Sequence, residues 1–153
     1  WERRLAGSTI ATIPFVDRRA GRRREVAVRG LAVIGNLIGD GEPDVQKALS
    51  WALRSLGLVD RDAVAAFLAR ETERAAASND GQRAWVIRDA LTALDERHAA
   101  RLRGRLAGIR RRPGGPPTSE AAAIASAFWG SNPDLRGIRT AQGTRQVAGG
   151  GHP

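Results

Sequence analysis

The chain has 153 residues, of which 42% are hydrophobic, so it is long enough for one domain with a core and too short for two large ones. Its net charge of +9 favours an anionic partner such as a phosphate backbone, although the near-exclusive use of arginine over lysine also fits codon bias in a GC-rich genome. Without cysteine, and with only His98 and His152, the sequence excludes disulfides and a zinc site of the usual kind. We therefore expect no metal and no other cofactor.

Membrane and export signals are also missing from the sequence. No segment approaches the roughly 18 to 20 consecutive apolar residues of a membrane span, and the first ten residues lack the apolar stretch of a signal peptide. We expect a soluble, cytoplasmic protein that does not contact membranes. Because the chain contains no methionine, we also expect it to be a fragment or a processed piece of a longer protein.

Apolar residues recur at helical spacing in five segments, and no segment alternates as a half-buried strand would, which predicts an all-α fold. The first predicted helix runs from Trp1 to about Val16 and is amphipathic through Leu5, Ile10 and Ile13. Pro14 is expected to kink or end it. An arginine-rich connector, residues 17–25, leads to a second helix near Glu25 to Ile38. Its apolar positions are Val28, Leu31, Ile34, Leu37 and Ile38.

An acidic loop, "GDGEP", precedes the third predicted helix, "VQKALSWALRSL" at residues 45–56. We interpret Asp40, Glu42 and Asp44 as a solvated cap for this helix, because carboxylates stabilise a helix start. At about 100° per residue the apolar side chains form one stripe. The stripe comprises Val45, Ala48, Leu49, Ala52, Leu53 and Leu56, and the residues on another side are Lys47, Ser50, Trp51 and Arg54.

The position of Trp51 between two cations leaves two interpretations open. An exposed indole can stack on a sugar or base while its neighbours contact phosphates. Alternatively, Trp51 fills the contact with a neighbouring helix. Trp85, close to Arg88, also lies away from the apolar positions Val86, Ala90 and Leu94 of its helix, so the same two interpretations apply to it. A basic groove that contains both tryptophans would explain the two positions together.

Asp60 is a plausible N-cap for the fourth predicted helix, which buries Val64, Phe67 and Leu68. The fifth follows the "SNDG" turn and continues as a basic helix to about Arg103. Its apolar positions are Val86, Ile87, Ala90, Leu91 and Leu94.

Short loops between these helices predict antiparallel hairpins stacked as an α-solenoid, with a closed bundle as the alternative. The helical domain is expected at residues 1–112. Residues 113–153 are rich in proline, glycine and alanine and predict a largely disordered tail.

Three segments together resemble the DNA alkylation repair family, the AlkD-like DNA glycosylases built from HEAT-like repeats. "VQKALSWALRSL" followed by "DRDAVAAFL" resembles the family's C-terminal repeats, "WERRLAG" the helix that opens the preceding repeat, and "WVIRDAL" the closing repeat. The resemblance covers roughly residues 1 to 95. It implies a C-shaped solenoid whose basic concave face holds duplex DNA, and removal of purines alkylated at N3 or N7 without flipping of the base.

The resemblance also implies roles for individual residues. Trp51 matches the tryptophan that stacks on the lesion-bearing nucleotide, and Arg4 matches an arginine that contacts the nearby backbone. Helix geometry places Lys47 and Arg54 where they can contact phosphates. The predicted lesion- and DNA-binding residues are Trp1, Arg4, Lys47, Trp51, Arg54 and Arg88. The expected partner is duplex DNA containing alkylated purines, bound by a monomer at the nucleoid.

The catalytic aspartate of the family lies upstream of the helix that corresponds to Trp1, so the catalytic residue is unknown here and is expected before Trp1. Asp17 and Asp40 are not at the matching place. We therefore expect this chain alone to bind DNA weakly and to catalyse little.

Two other functions remain open at this point. One is a non-catalytic helical-repeat scaffold for a protein partner. The other is a general nucleic-acid-binding module that uses the arginines of residues 18–24 and 101–112 and is indifferent both to lesions and to Trp51.

Overall fold

The computed structural model describes residues 1–111, which form six α-helices, α1 to α6, and one short 3-10 helix. In chain order the α-helices span Glu2–Val16, Arg24–Leu37, Pro43–Gly57, Arg61–Ser78, Gly81–Ala90 and Glu96–Arg105. The 3-10 helix, Leu91–Ala93, lies between α5 and α6. No strand occurs within residues 1–111, which confirms the all-α prediction. The predicted tail, residues 113–153, lies outside the described residues.

Aspartate side chains begin the last three α-helices. Asp60, Asp80 and Asp95 each accept a hydrogen bond from a backbone N–H in the first turn of α4, α5 and α6, respectively. Such caps satisfy donors that the helix itself leaves without partners. The N-cap prediction for Asp60 is confirmed. Asn79 ends α4 in the left-handed conformation, with φ of 51°, which explains the sharp turn in "SNDG".

The helices pack in two layers around a common core. In one layer α3 packs against both α1 and α5, and in the other α4 packs against both α2 and α6. Along α1 and α3 the contacts proceed in the same direction, from Arg4 beside Asp44 near the two helix starts to Gly7 against Ala48 further along. These two helices therefore run parallel. In the chain sequence, a helix of the other layer lies between each two consecutive helices of one layer.

Small residues determine which face of α1 is buried. That face consists of Gly7, Ile10, Ala11 and Pro14, at helical spacing, whereas Leu5 is 62% exposed. The prediction that Leu5 faces the core is wrong because the face centred on Gly7 puts Leu5 about 200° away around the helix. Pro14 does not end α1, which continues to Val16 with the proline ring buried.

α2 shows the same effect of small side chains. Leu31, Ile34 and Ile38 are buried as predicted, but Val28 is 56% exposed and its predicted place in the core is wrong. Ala27 and Gly30 are buried on the core side of α2 instead. A Cβ on Gly30 would lie 2.8 Å from Leu56 and 3.1 Å from Ile10, so this contact has room only for a hydrogen atom.

α5 and α6 are separate helices, and the predicted continuous helix to about Arg103 is wrong. α5 ends at Ala90, the 3-10 helix changes the direction of the chain, and Asp95 caps α6. The apolar positions Val86, Ile87, Ala90 and Leu91 are buried as predicted, and Leu94 is partly buried.

The close approach of α1 to α3 gives a first testable prediction. An added Cβ at Gly7 would lie 2.8 Å from the Ala48 Cβ and 3.0 Å from its carbonyl carbon, so Gly7→Ala must push the two helices apart. We expect the free energy of unfolding to fall by about 1–3 kcal/mol in equilibrium denaturation.

Gly104→Ala in α6 is the matched control, because a Cβ there meets nothing within 4 Å. Since alanine favours a helix over glycine, this variant should be unchanged or more stable by up to about 1 kcal/mol. Equal effects of the two substitutions would contradict a special contact at Gly7.

Candidate nucleic-acid interface

Three residues of α3, Lys47, Trp51 and Arg54, form a solvent-accessible row that we call the α3 strip, in which Lys47 and Trp51 are exposed and Arg54 is partly buried. They lie at i, i+4 and i+7, which places them on one side of a helix. Trp51 is 42% exposed, whereas every residue of the predicted apolar stripe of α3 is buried. The prediction that Trp51 lies off the core face is confirmed, and its role in binding stays a prediction.

The first turn of α1 lies beside the start of the α3 strip. Trp1 is almost fully exposed, and the guanidinium carbon of Arg4 lies 5.4 Å from the centre of its ring, within cation–π distance. Asp44 stands between the two helices, 3.9 Å from Arg4 Nη1 through one oxygen and 3.9 Å from Lys47 Nζ through the other. One exposed carboxylate therefore holds two of the predicted DNA-binding cations together.

Arg54, at the other end of the strip, is tied to α5. Its Nη1 donates to Asp89 Oδ2 at 2.8 Å and to the Asp89 backbone oxygen at 3.0 Å. Ser50 Oγ donates to the same Oδ2 at 2.6 Å. Ser50 is completely buried, so its predicted place on the exposed side of α3 is wrong. The serine instead turns toward α5, where the Asp89 carboxylate satisfies its hydroxyl.

Phe15 is a neighbour of Trp51 that sequence analysis missed. Together with Leu58 and Arg61, both aromatic side chains line a pocket of about 340 Å³ at the end of α3. Phe15 is 48% exposed and follows the buried Pro14. An exposed aromatic next to a buried helix position is a weak sequence signal, because only the tertiary packing of α1 on α3 brings Phe15 to this pocket.

Trp85 does not belong to this surface, and the prediction that it lies off the core face is wrong. Its side chain is 3% exposed, and the Arg111 guanidinium carbon lies 4.7 Å from its ring centre. The basic groove shared by two tryptophans therefore does not form.

Arg88 has a structural role of its own. Its Nη2 donates to the backbone oxygens of Leu106 and Ile109, at 2.6 Å each. Burial lowers the pKa of the Arg88 guanidinium below its ordinary value, because the charged form loses solvation. These contacts hold the chain that follows α6, and they give no support to the prediction that Arg88 contacts DNA.

The carboxylates of the acidic loop before α3 differ in their exposure to solvent. Asp40 is nearly buried and binds Arg3 Nη1 at 2.5 Å, so its interpretation as a solvated cap is wrong. Asp44 is exposed in the first turn of α3, as expected of a helix start. Asp17 follows the last residue of α1, and hydrogen bonds from the backbone N–H groups of Ala20 and Arg19 lower its pKa.

The described residues contain no group of three or more histidine, cysteine or acidic side chains that could hold a metal ion. Within the same part of the chain, no helix combines the length and apolar character needed to cross a membrane.

The family model described as "DNA alkylation repair enzyme" matches residues 1–94, which include α1 to α5 and the whole α3 strip. The chain belongs to the DNA alkylation repair enzyme family. No curated protein and no solved structure shows a significant match to it. The family gives the chain a role in DNA alkylation repair and confirms the resemblance seen in the sequence.

The Ser50–Asp89 contact gives a prediction about what supports the strip. Ser50→Ala removes a hydroxyl donor from a carboxylate that is itself largely buried. Because hydrogen bonds to charged groups contribute about 1.5–3 kcal/mol, we expect the free energy of unfolding to fall by about that amount in urea denaturation.

Ser78→Ala is the control, because Ser78 Oγ donates to a backbone oxygen on the exposed surface of α4. Ser78 is the last residue of α4, where alanine gains less helix propensity than at the interior position of Ser50, so the comparison understates rather than exaggerates the contribution of the Asp89 contact. We expect Ser78→Ala to change stability by less than about 0.5 kcal/mol. A similar small change for Ser50→Ala would mean that Asp89 does not depend on the serine.

Proposed function

We propose that this domain binds duplex DNA containing alkylated purines through the α3 strip, with Trp51 against the lesion-bearing nucleotide. The observation that carries the proposal is the half-exposed Trp51 between Lys47 and Arg54, in a chain of the DNA alkylation repair family. A purine alkylated at N3 or N7 carries a positive charge. An indole face attracts such a cation and stacks on a base, whereas flanking cations attract phosphates.

Arg4, Lys47 and Trp1 extend this surface toward the start of α1. Arg4 and Lys47 each form an ion pair of 3.9 Å with Asp44, and all three side chains are exposed. Exposed ion pairs of this kind are weak. A phosphate can therefore take the place of the carboxylate at little cost. Arg54 is held more firmly, since its two hydrogen bonds to Asp89 are short. In the proposed complex Arg54 chiefly positions the indole one turn before it.

The proposed reaction of the whole protein is hydrolysis of the N-glycosidic bond. The bond from C1′ of the sugar to the purine nitrogen breaks, and its electron pair leaves with the base, whose positive charge is thereby neutralised. The oxygen of a water molecule bonds to C1′ and loses a proton. No redox step or cofactor is needed, because the positive charge already weakens the bond.

A carboxylate would stabilise the oxocarbenium-like sugar and position the water. The aspartates beside the α3 strip do not fit this role, because Asp44 faces two cations and Asp89 accepts hydrogen bonds from Arg54 and Ser50. The residues described here then contribute recognition of the damaged nucleotide.

The packing of the helices supports an α-solenoid of HEAT-like repeats. α1, α3 and α5 follow one another in one layer and α2, α4 and α6 in the other, as stacked hairpins would. In this proposal the layer that carries the α3 strip faces the DNA. The domain acts as a monomer in the cytoplasm, at the nucleoid where its substrate lies.

Trp51→Ala is expected to remove the preference for damaged DNA. Because stacking of a base on an aromatic side chain is worth about 1–3 kcal/mol, affinity for a duplex with one alkylated-purine analogue should fall at least about fivefold. Affinity for the same duplex without damage should hardly change. Fluorescence anisotropy with both duplexes measures this ratio.

Trp51→Phe should keep part of the preference, since it retains an aromatic face. Val28→Ala controls for the loss of an exposed apolar side chain, because Val28 is 56% exposed on α2 and away from the strip. If Trp51→Ala bound both duplexes as the unchanged protein does, Trp51 would be a packing residue of the Phe15 pocket.

A further inference from the structure

A second basic surface lies between α4 and α6, away from the α3 strip. Arg97, Arg101 and Arg105 follow one another at four-residue intervals and therefore form a row on one side of α6. Arg101 and Arg105 of this row, with Arg70 and Glu73 of α4, line a groove of about 640 Å³, which we call the α4–α6 groove. Arg97 lies one helical turn before the groove. The α6 row lies beyond residues 1–94, which the family model matches.

The groove keeps a positive charge because only part of it is neutralised. Arg105 binds Glu73 through both carboxylate oxygens, at 3.0 and 3.2 Å, and this contact lowers the pKa of the Glu73 carboxyl. The side chains of Arg97 and Arg101, in contrast, form no hydrogen bond or ion pair with any residue of the range 1–111, and both residues are exposed. Arg70 adds a third guanidinium, which lies over the Phe67 ring and also forms an ion pair of 3.5 Å with the buried Glu71.

The chemistry of the groove suits a sugar-phosphate backbone better than bases. Guanidinium groups present a planar fork of donors that matches phosphate oxygens. The row from Arg97 to Arg105 covers eight residues and therefore about 12 Å. Phosphates of one strand recur about every 3.4 Å along a duplex, so the row is long enough to contact several of them. None of the described residues that line the groove is aromatic, so these residues offer no surface on which a base could stack.

The ion pair in the groove is compatible with such a ligand. Arg105 and Glu73 are both more than half exposed, with side-chain exposures of 56% and 62%. Exposed pairs contribute little to stability, so a phosphate can displace or share the carboxylate. The α3 strip and the groove have no residue in common.

We propose that the α4–α6 groove is a second DNA-binding site, which holds the phosphate backbone of an undamaged duplex segment without regard to lesions. The α3 strip contacts the damaged nucleotide, and the groove binds the phosphate backbone independently of sequence. Because the groove would act on any duplex, this inference does not depend on the lesion contact of Trp51.

The test compares Arg101→Glu with Arg29→Glu in the full chain. Both variants reverse one exposed arginine, but Arg29 lies on α2 and forms no ion pair with a described residue. The probe is an undamaged, fluorescently labelled 20-base-pair duplex, titrated at several salt concentrations. A parallel titration uses the same duplex with one alkylated-purine analogue, and thermal unfolding of each variant checks that it is folded.

We expect Arg101→Glu to weaken binding of the undamaged duplex by about tenfold at low salt, and to reduce the slope of log affinity against log salt concentration by about 0.9 or more. Arg101→Gln should cause a smaller change in the same direction, which separates the effect from charge reversal. The ratio of damaged to undamaged affinity should remain unchanged, whereas Trp51→Ala should alter this ratio and leave the slope intact.

Equal effects of Arg101→Glu and Arg29→Glu would overturn the proposal, since the groove would then contribute only net charge. A change in the lesion ratio would also overturn it, because the groove would not be a separate site. Poly-glutamate and vesicles with anionic lipids serve as further probes. If Arg101→Glu lost binding to either one while its DNA slope stayed the same, the groove would belong to an acidic protein or to a membrane surface instead.

Discussion

Burial of α3 on every side but one is the constraint from which the rest of the structure follows. The helix packs against α1, α2, α4 and α5, and ten of its fifteen residues are buried. Beyond Pro43 at its start, the residues that stay accessible are Asp44, Lys47, Trp51 and Arg54. Their spacing of three, four and three residues keeps them on one side of the helix. A central helix with neighbours all around it thus has a single place for a functional surface.

The contact between α3 and α5 is polar as well as apolar, and this gives it a defined register. Gln46 Nε2 donates to Gln82 Oε1 at 2.7 Å, and Ser50, one turn later, and Arg54, two turns later, both donate to Asp89. A shift of either helix by one residue would leave these buried groups without partners, at a cost of about 1–3 kcal/mol for each. The register matters for the site, because it places Asp89 where it can hold Arg54 beside Trp51.

A buried carboxylate fixes the other layer in a similar way. Glu71 of α4 is completely buried, with Arg83 Nη1 at 2.7 Å and Arg74 Nη1 at 2.9 Å. Because a buried charge is tolerated only when it is paired and hydrogen-bonded, this network ties α4 to α5 at one relative position. The sequence contains no local sign of it, since Glu71 reads as one more charged residue in a polar helix.

The prediction from sequence was most accurate for α3, because a regular apolar stripe indicates on its own which side of a helix is buried. It failed where the answer lies in a partner far along the chain. Trp85 is buried in the core with Arg111 over its ring, and Arg88 donates to backbone oxygens that follow α6. The break between α5 and α6 could have been predicted from the sequence, because aspartate is a common N-cap residue and Asp95 stands at the start of α6.

The candidate site follows the same rule. The accessibility of Trp51 could be predicted from helical periodicity, and the family from the residues around it. Ser50 and Phe15 could not be placed, because the first depends on Asp89 of α5 and the second on the packing of α1 against α3. Periodicity identifies which side of a helix faces outward, but only the assembled layers decide what stands opposite that side.

Asp44 has a consequence for how the proposed DNA surface responds to ionic strength. Since this carboxylate lies between Arg4 and Lys47, the two cations already carry a counter-ion that belongs to the protein. Salt dependence arises because basic groups neutralise phosphates and thereby release the cations condensed on the DNA. With Asp44 beside the two cations this neutralisation would be incomplete, so fewer cations would be released and the affinity would depend less steeply on the salt concentration. Selective contact at the damaged nucleotide would then persist in salt that suppresses indiscriminate attachment to DNA.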